Sequence, residues 1–267
     1  MEPSFIESGL ELLARLETRL TLHALENILF PNGLPRNATI ELCGNLSSGK
    51  VILFTQLIAK CILPVKHNGE TIGGLGVSVL FINTNYHFVI TKLRSSIINF
   101  LYQRKIPDLT PGTIDTIVRR SLSNLIIINC YDSSSYFLTL QTLDDILSSN
   151  KNISLVAIDN ITSYYWEDRQ KGGSWMMNRY IRNTLKIVQN HTFQRNILLL
   201  YTRVSDSTYK DNIQCVDKSE LEKINFRINL QHNEESNTYL CTVESRTQTN
   251  NIYYTIDSNG IMWNKSL

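Results

Sequence analysis

Apolar runs rich in β-branched residues recur along most of the chain and predict buried strands. They lie at 38–43, 76–84, 124–130, 153–159 and 196–202. Each run is almost continuously hydrophobic, which is typical of a strand in a sheet that is covered on both faces. Stretches with helical character separate them, at 50–63, 87–104, 135–149 and 174–192. Strands that alternate with helices indicate βαβ units, so the pattern predicts an α/β fold with a mostly parallel, twisted sheet flanked by helices.

The pattern changes after residue 222. Three segments, 224–231, 237–245 and 251–261, have strand-like composition with polar breaks and no helical spacing. We expect them to be antiparallel strands that close one edge of the sheet. The polar segment 204–222 before them predicts a loop of a length that is more often functional or disordered than incidental. The domain organisation predicted is an N-terminal segment with a short helix at 1–36 and one core at 37–267.

Composition narrows the class of protein without naming a function. The 267 residues are 42% hydrophobic and 19% charged, an ordinary globular balance. The net charge of +2 is too small to indicate nucleic acid or membrane by itself. No apolar run is long enough to span a bilayer, and the first residues lack a signal-peptide pattern. The five cysteines are widely spaced without a C-x-x-C pair, which argues against disulfides and zinc. We expect a soluble intracellular protein.

The first predicted strand leads into the spacing Gly-x-x-x-x-Gly-Lys of a phosphate-binding loop. The loop and the residue after it are Gly44, Asn45, Leu46, Ser47, Ser48, Gly49, Lys50 and Val51. A strand ends at Cys43 and an apolar helix begins near Lys50, so loop amides and the helix N-terminus would face phosphates while the lysine adds a charge. The spacing predicts ATP or ADP, with Mg²⁺, as ligand. A glycine-rich strand–helix turn with a surface lysine is the alternative that it leaves open.

A second acidic signal supports the loop. The run "SLVAID" is an apolar strand that ends in Asp159. Nucleotide-binding folds place a carboxylate near magnesium in this way, although aspartate is also common at ordinary turns. Taken with the loop, Asp159 makes a P-loop fold the best interpretation and adds this residue to the predicted nucleotide site.

Several stretches of the chain resemble the eukaryotic RecA-like recombinase paralogues. They are "ESGLELLARLETR" (7–19), "AKCILPVKHNG" (59–69), "VLFINTNYHF" (79–88) and "YYWEDRQKGG" (164–173), and "YTIDSNGI" (254–261) resembles the last hairpin of the RecA core. The resemblance is strong up to about Gly173 and looser afterwards. It implies a RecA-like P-loop NTPase core without the N-terminal helical DNA-binding domain of the full recombinases.

Three positions depart from the chemistry that the resemblance implies. The family's glutamate that orients the attacking water is matched by Asn85, within the stretch Asn83-Thr84-Asn85. Asparagine cannot take a proton or carry the charge. Val51 lacks the hydroxyl that ligates magnesium, and Arg203 stands where the family usually has a glutamine that senses the γ-phosphate. We therefore assign no catalytic residue, and we expect a site that binds nucleotide weakly or without efficient hydrolysis. A decayed, vacant site is the alternative.

The resemblance also implies a biological role. It implies a subunit that acts in homologous recombination and DNA double-strand-break repair, in the nucleus, within a hetero-oligomeric complex. The implied partners are other recombinase paralogues, chiefly the D member, and single-stranded DNA reached through the complex. Two alternatives stay open: an active P-loop ATPase or small-molecule kinase that uses Asp159 and an unconventional magnesium shell, and a scaffold without nucleotide.

Two further groups of residues have a functional and a structural interpretation. Arg179, Arg182 and Lys186 fall at i, i+3 and i+7 on one helix face, where they could contact DNA phosphates. A solvated face is the alternative and has the higher base rate. The run Tyr164-Tyr165-Trp166 follows the Asp159 strand and could stack on bases, but core or partner packing is favoured. We interpret His87 as structural.

Overall fold

The computed structural model describes Gly9 and residues 22–264, except 46, 105, 107, 108, 174, 175 and 204–223. The described strands are β1 (Thr39–Gly44), β2 (Lys66–His67), β3 (Glu70–Thr71), β4 (Ser78–Asn83), β5 (Leu125–Asn129), β6 (Ile153–Asp159), β7 (Leu198–Thr202), β8 (Phe226–Asn233), β9 (Thr238–Ser245), β10 (Thr249–Asp257) and β11 (Gly260–Trp263). The described helices are α1 (Lys50–Ile62), α2 (Ile90–Gln103), α3 (Pro111–Leu122), α4 (Ser133–Gln141), α5 (Leu143–Ser149), α6 (Tyr165–Gln170) and α7 (Met177–Phe193).

One nine-stranded sheet forms the centre of the molecule, in the order β11-β10-β9-β8-β1-β7-β6-β4-β5. Neighbouring strands from β5 to β8 in this order are parallel, and the pairs β8–β9, β9–β10 and β10–β11 are antiparallel. The predicted α/β fold with a mostly parallel sheet is confirmed. β2 and β3, which the sequence pattern did not predict, form a separate small hairpin.

The first C-terminal strand corrects one expectation. We expected only antiparallel strands after residue 222, but β8 pairs in parallel with β1, with Ile40 opposite Phe226. The chain between Thr202 and Phe226 is long enough for the crossover that a parallel pair requires, whereas the short turns after β8, β9 and β10 allow only antiparallel hairpins.

Most predicted helices are present, but one predicted helix is divided and two helices, α3 and α6, were not predicted. The stretch 135–149 is divided at Thr142 into α4 and α5. Helix α3 was missed, although its start carries a readable signal. Thr110 precedes Pro111 at the first helical position, and the Thr110 hydroxyl accepts a hydrogen bond from the Thr113 amide at 3.2 Å. Threonine as N-cap followed by proline is a common way for a helix to begin.

Two apolar cores cover the two faces of the sheet. Because side chains alternate along a strand, Leu198 and Leu200 enter the first core with α1, α2 and α3, whereas Leu199 and Tyr201 enter the second with α4, α5 and α7. Residues 22–34 contribute buried apolar side chains to the first core, namely Leu22, Leu25, Leu29, Phe30 and Leu34. The predicted boundary between residues 36 and 37 stays a prediction.

The four described cysteines are buried thiols without disulfide bonds, and Cys215 lies outside the described residues. Among the described helices, none combines the length and apolar character that a bilayer-crossing segment needs.

Candidate nucleotide site

The phosphate-binding loop joins the end of β1 to the start of α1. Gly49 has φ of 78°, a left-handed conformation that side-chain-bearing residues rarely adopt, and a Cβ there would lie 2.6 Å from the Ile256 Cδ1 atom. A Cβ on Gly44 would lie 2.5 Å from the main-chain oxygen of Leu230. Both glycines are therefore required by the backbone geometry of the loop, with or without a ligand.

Residues from distant strands hold the loop in place. The Asn45 side chain donates to the His232 carbonyl at 3.1 Å and accepts from the His232 amide at 3.2 Å. The Tyr254 hydroxyl donates to the Ser48 carbonyl at 2.6 Å. Leu46 lies outside the described residues. These contacts pre-organise the loop, which lowers the entropy lost when a ligand is bound.

The Ser47 hydroxyl is also engaged with β8. Its oxygen lies 3.2 Å from the His232 Nδ1 atom, and the imidazole is stacked on the Tyr239 ring with the centroids 4.1 Å apart. The backbone of Ser47 has φ of 63°, so this loop position is held in an unusual conformation by its neighbours.

The ammonium group of Lys50 lies between the ends of β1 and β7. It donates to the Arg203 carbonyl at 3.0 Å and to the Gly44 carbonyl at 3.5 Å. Burial lowers the pKa of Lys50, and the negative charge of Asp159 partly opposes that shift. A phosphate would supply the anionic partner that this buried ammonium has only at longer range.

A buried ionic cluster lies beside the loop on β1, β7 and β8. Glu41, only 1% exposed, accepts from the Tyr201 hydroxyl at 2.6 Å and from the Arg227 Nε atom at 2.8 Å. The Arg203 guanidinium is 3.4 Å from the same carboxylate. Arg203, which stands where the family usually has a glutamine that senses the γ-phosphate, thus forms an ion pair with Glu41 on β1. Sequence reasoning missed this cluster, and its signal is a glutamate inside the apolar run 38–43.

Asp159 ends β6 at the same edge of the sheet. Its Oδ1 atom accepts from the Thr202 hydroxyl at 2.8 Å. Burial raises the pKa of the Asp159 carboxyl, while the Thr202 hydrogen bond and the charges of His87 and Lys50 act in the opposite direction. The structure therefore brings the predicted carboxylate and the predicted lysine to one site, with the exposed His87 near enough to influence it.

The exit of β4, residues 83–85, is neutral and internally hydrogen-bonded. Asn83 donates to the Asn129 side chain at 2.8 Å, and its own oxygen accepts from the Tyr86 amide at 3.2 Å. The Thr84 hydroxyl contacts the Asn160 carbonyl at 3.0 Å and the Ser163 hydroxyl at 2.8 Å. Asn85 accepts from that same Ser163 hydroxyl at 3.4 Å. No group in this network is a general base at neutral pH.

These residues fit a nucleotide better than they fit a tightly bound metal ion. The amides at the start of α1 can donate to phosphate oxygens, and Lys50 beside the loop supplies the charge. Val51 offers no side-chain oxygen to magnesium. Among the described residues, no group of three or more His, Cys, Asp or Glu side chains could hold a metal ion. Magnesium would therefore depend on Asp159, water and the phosphates themselves.

The other predicted contact residues lie on the surface or in the core. Arg179, Arg182 and Lys186 are exposed along α7, so their shared face is as predicted, while contact with DNA stays a prediction. Tyr164 and Tyr165 are buried, which agrees with core packing. Trp166 is 50% exposed, with the Arg169 guanidinium 5.3 Å from its ring centroid.

Comparison with known proteins places the fold among DNA recombinases. No family model matches the chain. DNA repair protein XRCC2 of Mus musculus is 36% identical over 169 residues, covering 62% of this chain and 56% of the relative. DNA repair and recombination protein RadA of Methanocorpusculum labreanum is 26% identical over 196 residues, covering 69% and 57%. The XRCC2 homolog of Arabidopsis thaliana is 24% identical over 155 residues, covering 49% and 42%.

The fold agrees with these relatives. The crystal structure of the RadB recombinase superposes with a TM-score of 0.62 at 16% identity, covering 88% of this chain and 94% of that one. This chain spans about half the length of the curated relatives it matches. The resemblance inferred from the sequence is confirmed: the chain is similar in sequence to XRCC2 and RadA, and its fold is similar to that of the RadB recombinase.

Proposed function

We propose that this chain is a recombinase-paralogue subunit for DNA double-strand-break repair in the nucleus. In this proposal it works in homologous recombination within a hetero-oligomeric complex, and it holds ATP or ADP without hydrolysing it efficiently. Support for the repair role comes from relatives that are themselves DNA repair and recombination proteins. The observation that carries the nucleotide proposal is the contrast between an intact phosphate cradle and a β4 exit without a carboxylate.

The charges around the loop favour an anion. Lys50, Arg203 and Arg227 lie close together on the β1, β7 and β8 side of the site. They outnumber the nearby carboxylates Glu41 and Asp159, so the local charge is positive before a nucleotide enters. With helix α1 presenting its first amides to the loop, the cradle has the electrostatics of a phosphate site.

Hydrolysis needs more than a cradle. Phosphoryl transfer to water depends on a group that positions the attacking water and on a metal that neutralises developing charge. The Asn85 carboxamide oxygen is held by Ser163, and Val51 gives magnesium no ligand. We therefore expect bound nucleotide to persist.

Nucleotide titration with the purified protein, alone and with its paralogue partners, tests this proposal. Calorimetric titration should show that ATP binds, and Lys50→Ala should weaken this binding by about tenfold or more. Phosphate release from ATP should stay at background. Turnover that Lys50→Ala abolishes would instead show an active ATPase or kinase. A complete lack of binding would show a scaffold.

A gain-of-function variant sharpens the test. The double substitution Val51→Thr with Asn85→Glu returns a metal ligand and a carboxylate to the cradle. Phosphate release above background is expected from the double variant, and neither single variant should reach it. If the double variant binds ATP and remains inactive, the missing hydrolysis has another cause than these two positions.

The partner proposal rests on the edge of the sheet at β5, where only one side of the strand is paired among the described strands. β5 is the outermost strand next to β4, and its Ile127 side chain is 38% exposed. Three large apolar side chains that come after β5 in the sequence are also exposed: Tyr131 at 73%, Phe137 at 50% and Leu138 at 59%. An edge strand with exposed apolar side chains accepts an extended segment of another chain through main-chain hydrogen bonds. We propose that a recombinase paralogue supplies that segment.

Charge substitutions on this edge test the surface. Ile127→Lys or Phe137→Glu should abolish co-purification with paralogue partners and leave the melting temperature of the isolated chain nearly unchanged. Tyr253→Glu is the matched control, because Tyr253 is 58% exposed on β10 at the other end of the sheet. Equal complex formation by all three variants would place the interface elsewhere.

DNA contact through α7 is the remaining part of the proposal. Single-stranded DNA should bind weakly, and binding should fall as salt rises. Alanine at Arg179, Arg182 and Lys186 together should reduce the slope of log K against log salt by about 2 if all three contact phosphates. The control is a second triple variant with alanine at the exposed residues Lys92, Arg94 and Lys151, which loses the same charge and should leave the slope unchanged. Equal slopes for the two triple variants would identify α7 as a solvated face.

A further inference from the structure

A second cavity opens at the opposite edge of the sheet from the phosphate loop. It has a volume of about 490 Å³ and is formed by residues 23–36, the start of β8 and the β9–β10 turn. β8 begins at Phe226, opposite Ile40 near the start of β1, whereas the phosphate loop leaves β1 at Gly44. Four residues of strand, about 13 Å, therefore separate the two places. The volume is in the range of small-molecule sites.

The charges around this cavity all have one sign. Arg36, Arg246 and His23 line it, and the described lining residues include no carboxylate. Arg36 is exposed and forms no ion pair with any residue that the structure describes. The exposed Arg36 guanidinium at this cavity favours a phosphate or carboxylate, since arginine binds such groups through two parallel hydrogen bonds.

The floor of the cavity is apolar. Leu29, Leu34 and Val243 are buried in the first core beneath it, and Phe226 is partly buried against that core. The Phe226 ring is held edge-to-face by Phe30 at a centroid distance of 5.0 Å. A rigid apolar floor of this kind suits a flat ring better than a flexible chain.

Carboxamide side chains supply hydrogen bonds around the floor. Asn32, Gln248 and Asn250 line the cavity. The bonds that close the β9–β10 turn use the main chain of Gln248, so its carboxamide is outside them. Asn225 is different, because its oxygen already accepts from the Thr39 amide at 2.8 Å. Asparagine and glutamine present a donor beside an acceptor, which is the pattern that matches the edge of a nucleobase.

The shape of the rim depends on one glycine. Gly33 has φ of 74°, and a Cβ built on it would lie 1.9 Å from the His23 imidazole. The ring of His23 therefore packs directly over Gly33, and any side chain at this position would displace it. This contact fixes a cationic or hydrogen-bonding group at the mouth of the cavity.

We propose that this cavity is a second ligand site, specific for a nucleoside monophosphate and independent of the phosphate loop. Arg36 holds the phosphate, Phe226 and the apolar floor take the base, and the carboxamides contact the base edge. The site lies at the amino-terminal edge of the parallel strands, so ATP or ADP at the loop and this ligand can be bound together.

Titration of the full chain with each of the four ribonucleoside monophosphates tests the site. Binding observed by calorimetry or ligand-detected NMR at low salt should fall by about tenfold or more in Arg36→Gln, which removes an exposed charge without disturbing the core. Arg94→Gln, an equally exposed change on α2, and Lys50→Ala at the phosphate loop should both bind as the unaltered protein does. Melting temperatures should agree for all variants.

Two further titrations, with nucleosides and with inorganic phosphate, identify the chemical class of the ligand. The corresponding nucleosides, which lack the phosphate, should bind about tenfold more weakly or worse, and inorganic phosphate should compete only at far higher concentration. Competition by phosphate at the same concentration as the monophosphate would overturn the nucleoside assignment. Binding that survives Arg36→Gln and disappears in Lys50→Ala would overturn the second site, because the ligand would then be at the loop. Absence of binding in every titration would overturn it as well.

Discussion

The phosphate loop and the exit of β4 lie at the same edge of the sheet and are held by different forces. The loop depends on two sterically required glycines, on the Tyr254 bond to Ser48 and on the buried carboxylate of Glu41 beside it. The β4 exit depends on neutral bonds among amides and hydroxyls, centred on Ser163. A substitution in the loop should disturb the packing between β1, α1 and the C-terminal strands. A substitution at the β4 exit should remove only a few local hydrogen bonds.

This difference would account for a phosphate cradle in a protein that, as we propose, hydrolyses ATP poorly. Gly44 and Gly49 are needed for β1 to meet α1, so folding alone requires them. Asn85 is half-buried, and nothing in its surroundings requires a carboxylate. The geometry of the loop is therefore stabilised by the packing of the core, whereas the packing around Asn85 does not depend on a catalytic side chain.

The largest expected effect is on the charged support of the loop. Glu41→Ala leaves Arg227 and Arg203 without their buried partner, so the free energy of unfolding should fall by about 3–5 kcal/mol. Urea denaturation followed by circular dichroism measures it. Glu244→Ala is the control, because Glu244 is half exposed and 4.0 Å from the same Arg227, and it should cost less than about 1 kcal/mol. Similar losses in both variants would contradict a special role for the buried carboxylate.

Overpacking the loop should have the next effect. Gly44→Ala forces a methyl group against the Leu230 carbonyl and should cost about 1–3 kcal/mol, together with a loss of nucleotide affinity. Gly112→Ala is the control substitution. Gly112 lies in the first turn of α3, and among the described atoms its added Cβ would contact only the Thr110 hydroxyl oxygen, at 4.0 Å. That variant should be neutral or more stable by up to about 1 kcal/mol. Denaturation curves that rank the two glycines the other way would refute the steric argument.

The neutral network should be easier to break. Ser163→Ala removes the hydroxyl that contacts Thr84 and Asn85, at an expected cost of about 0.5–1.5 kcal/mol. The phosphate loop should keep its nucleotide affinity in this variant, which a calorimetric titration can establish. A loss as large as that of Glu41→Ala would mean that the two regions are supported alike.

Asp159 lies between the two regions. Its raised pKa predicts a small effect of pH on the stability of the fold. Because burial raises its folded pKa, the ionised form is disfavoured by folding, and the contribution of this group to stability falls as pH rises through that folded pKa. Asp159→Asn lacks that fall and can still accept from Thr202. The stability of the variant relative to the unaltered protein should therefore increase as pH is raised from about 4 towards neutrality, in denaturation curves at several pH values. A pH-independent difference would contradict the effect of burial.

Much of the fold is readable in the sequence because the information is local. Continuous apolar runs such as 153–159 mark strands that are covered on both faces, and the Gly44–Lys50 spacing marks the loop between β1 and α1. The substitutions at Val51 and Asn85 are likewise visible as residue types. The start of α3 at Thr110 and Pro111 shows that even a missed helix carried a local signal.

Tertiary structure alone decided what supports the site. Glu41 pairs with Arg227, and Asn45 pairs with His232, across about two thirds of the chain. The parallel pairing of β8 with β1, which brings these residues together, depends on a crossover rather than on any local pattern. Periodicity reports which side of a strand is buried, but a polar side chain inside an apolar run acquires its partners only when distant strands become neighbours. The loop is therefore readable from the sequence, and the charges that hold it are not.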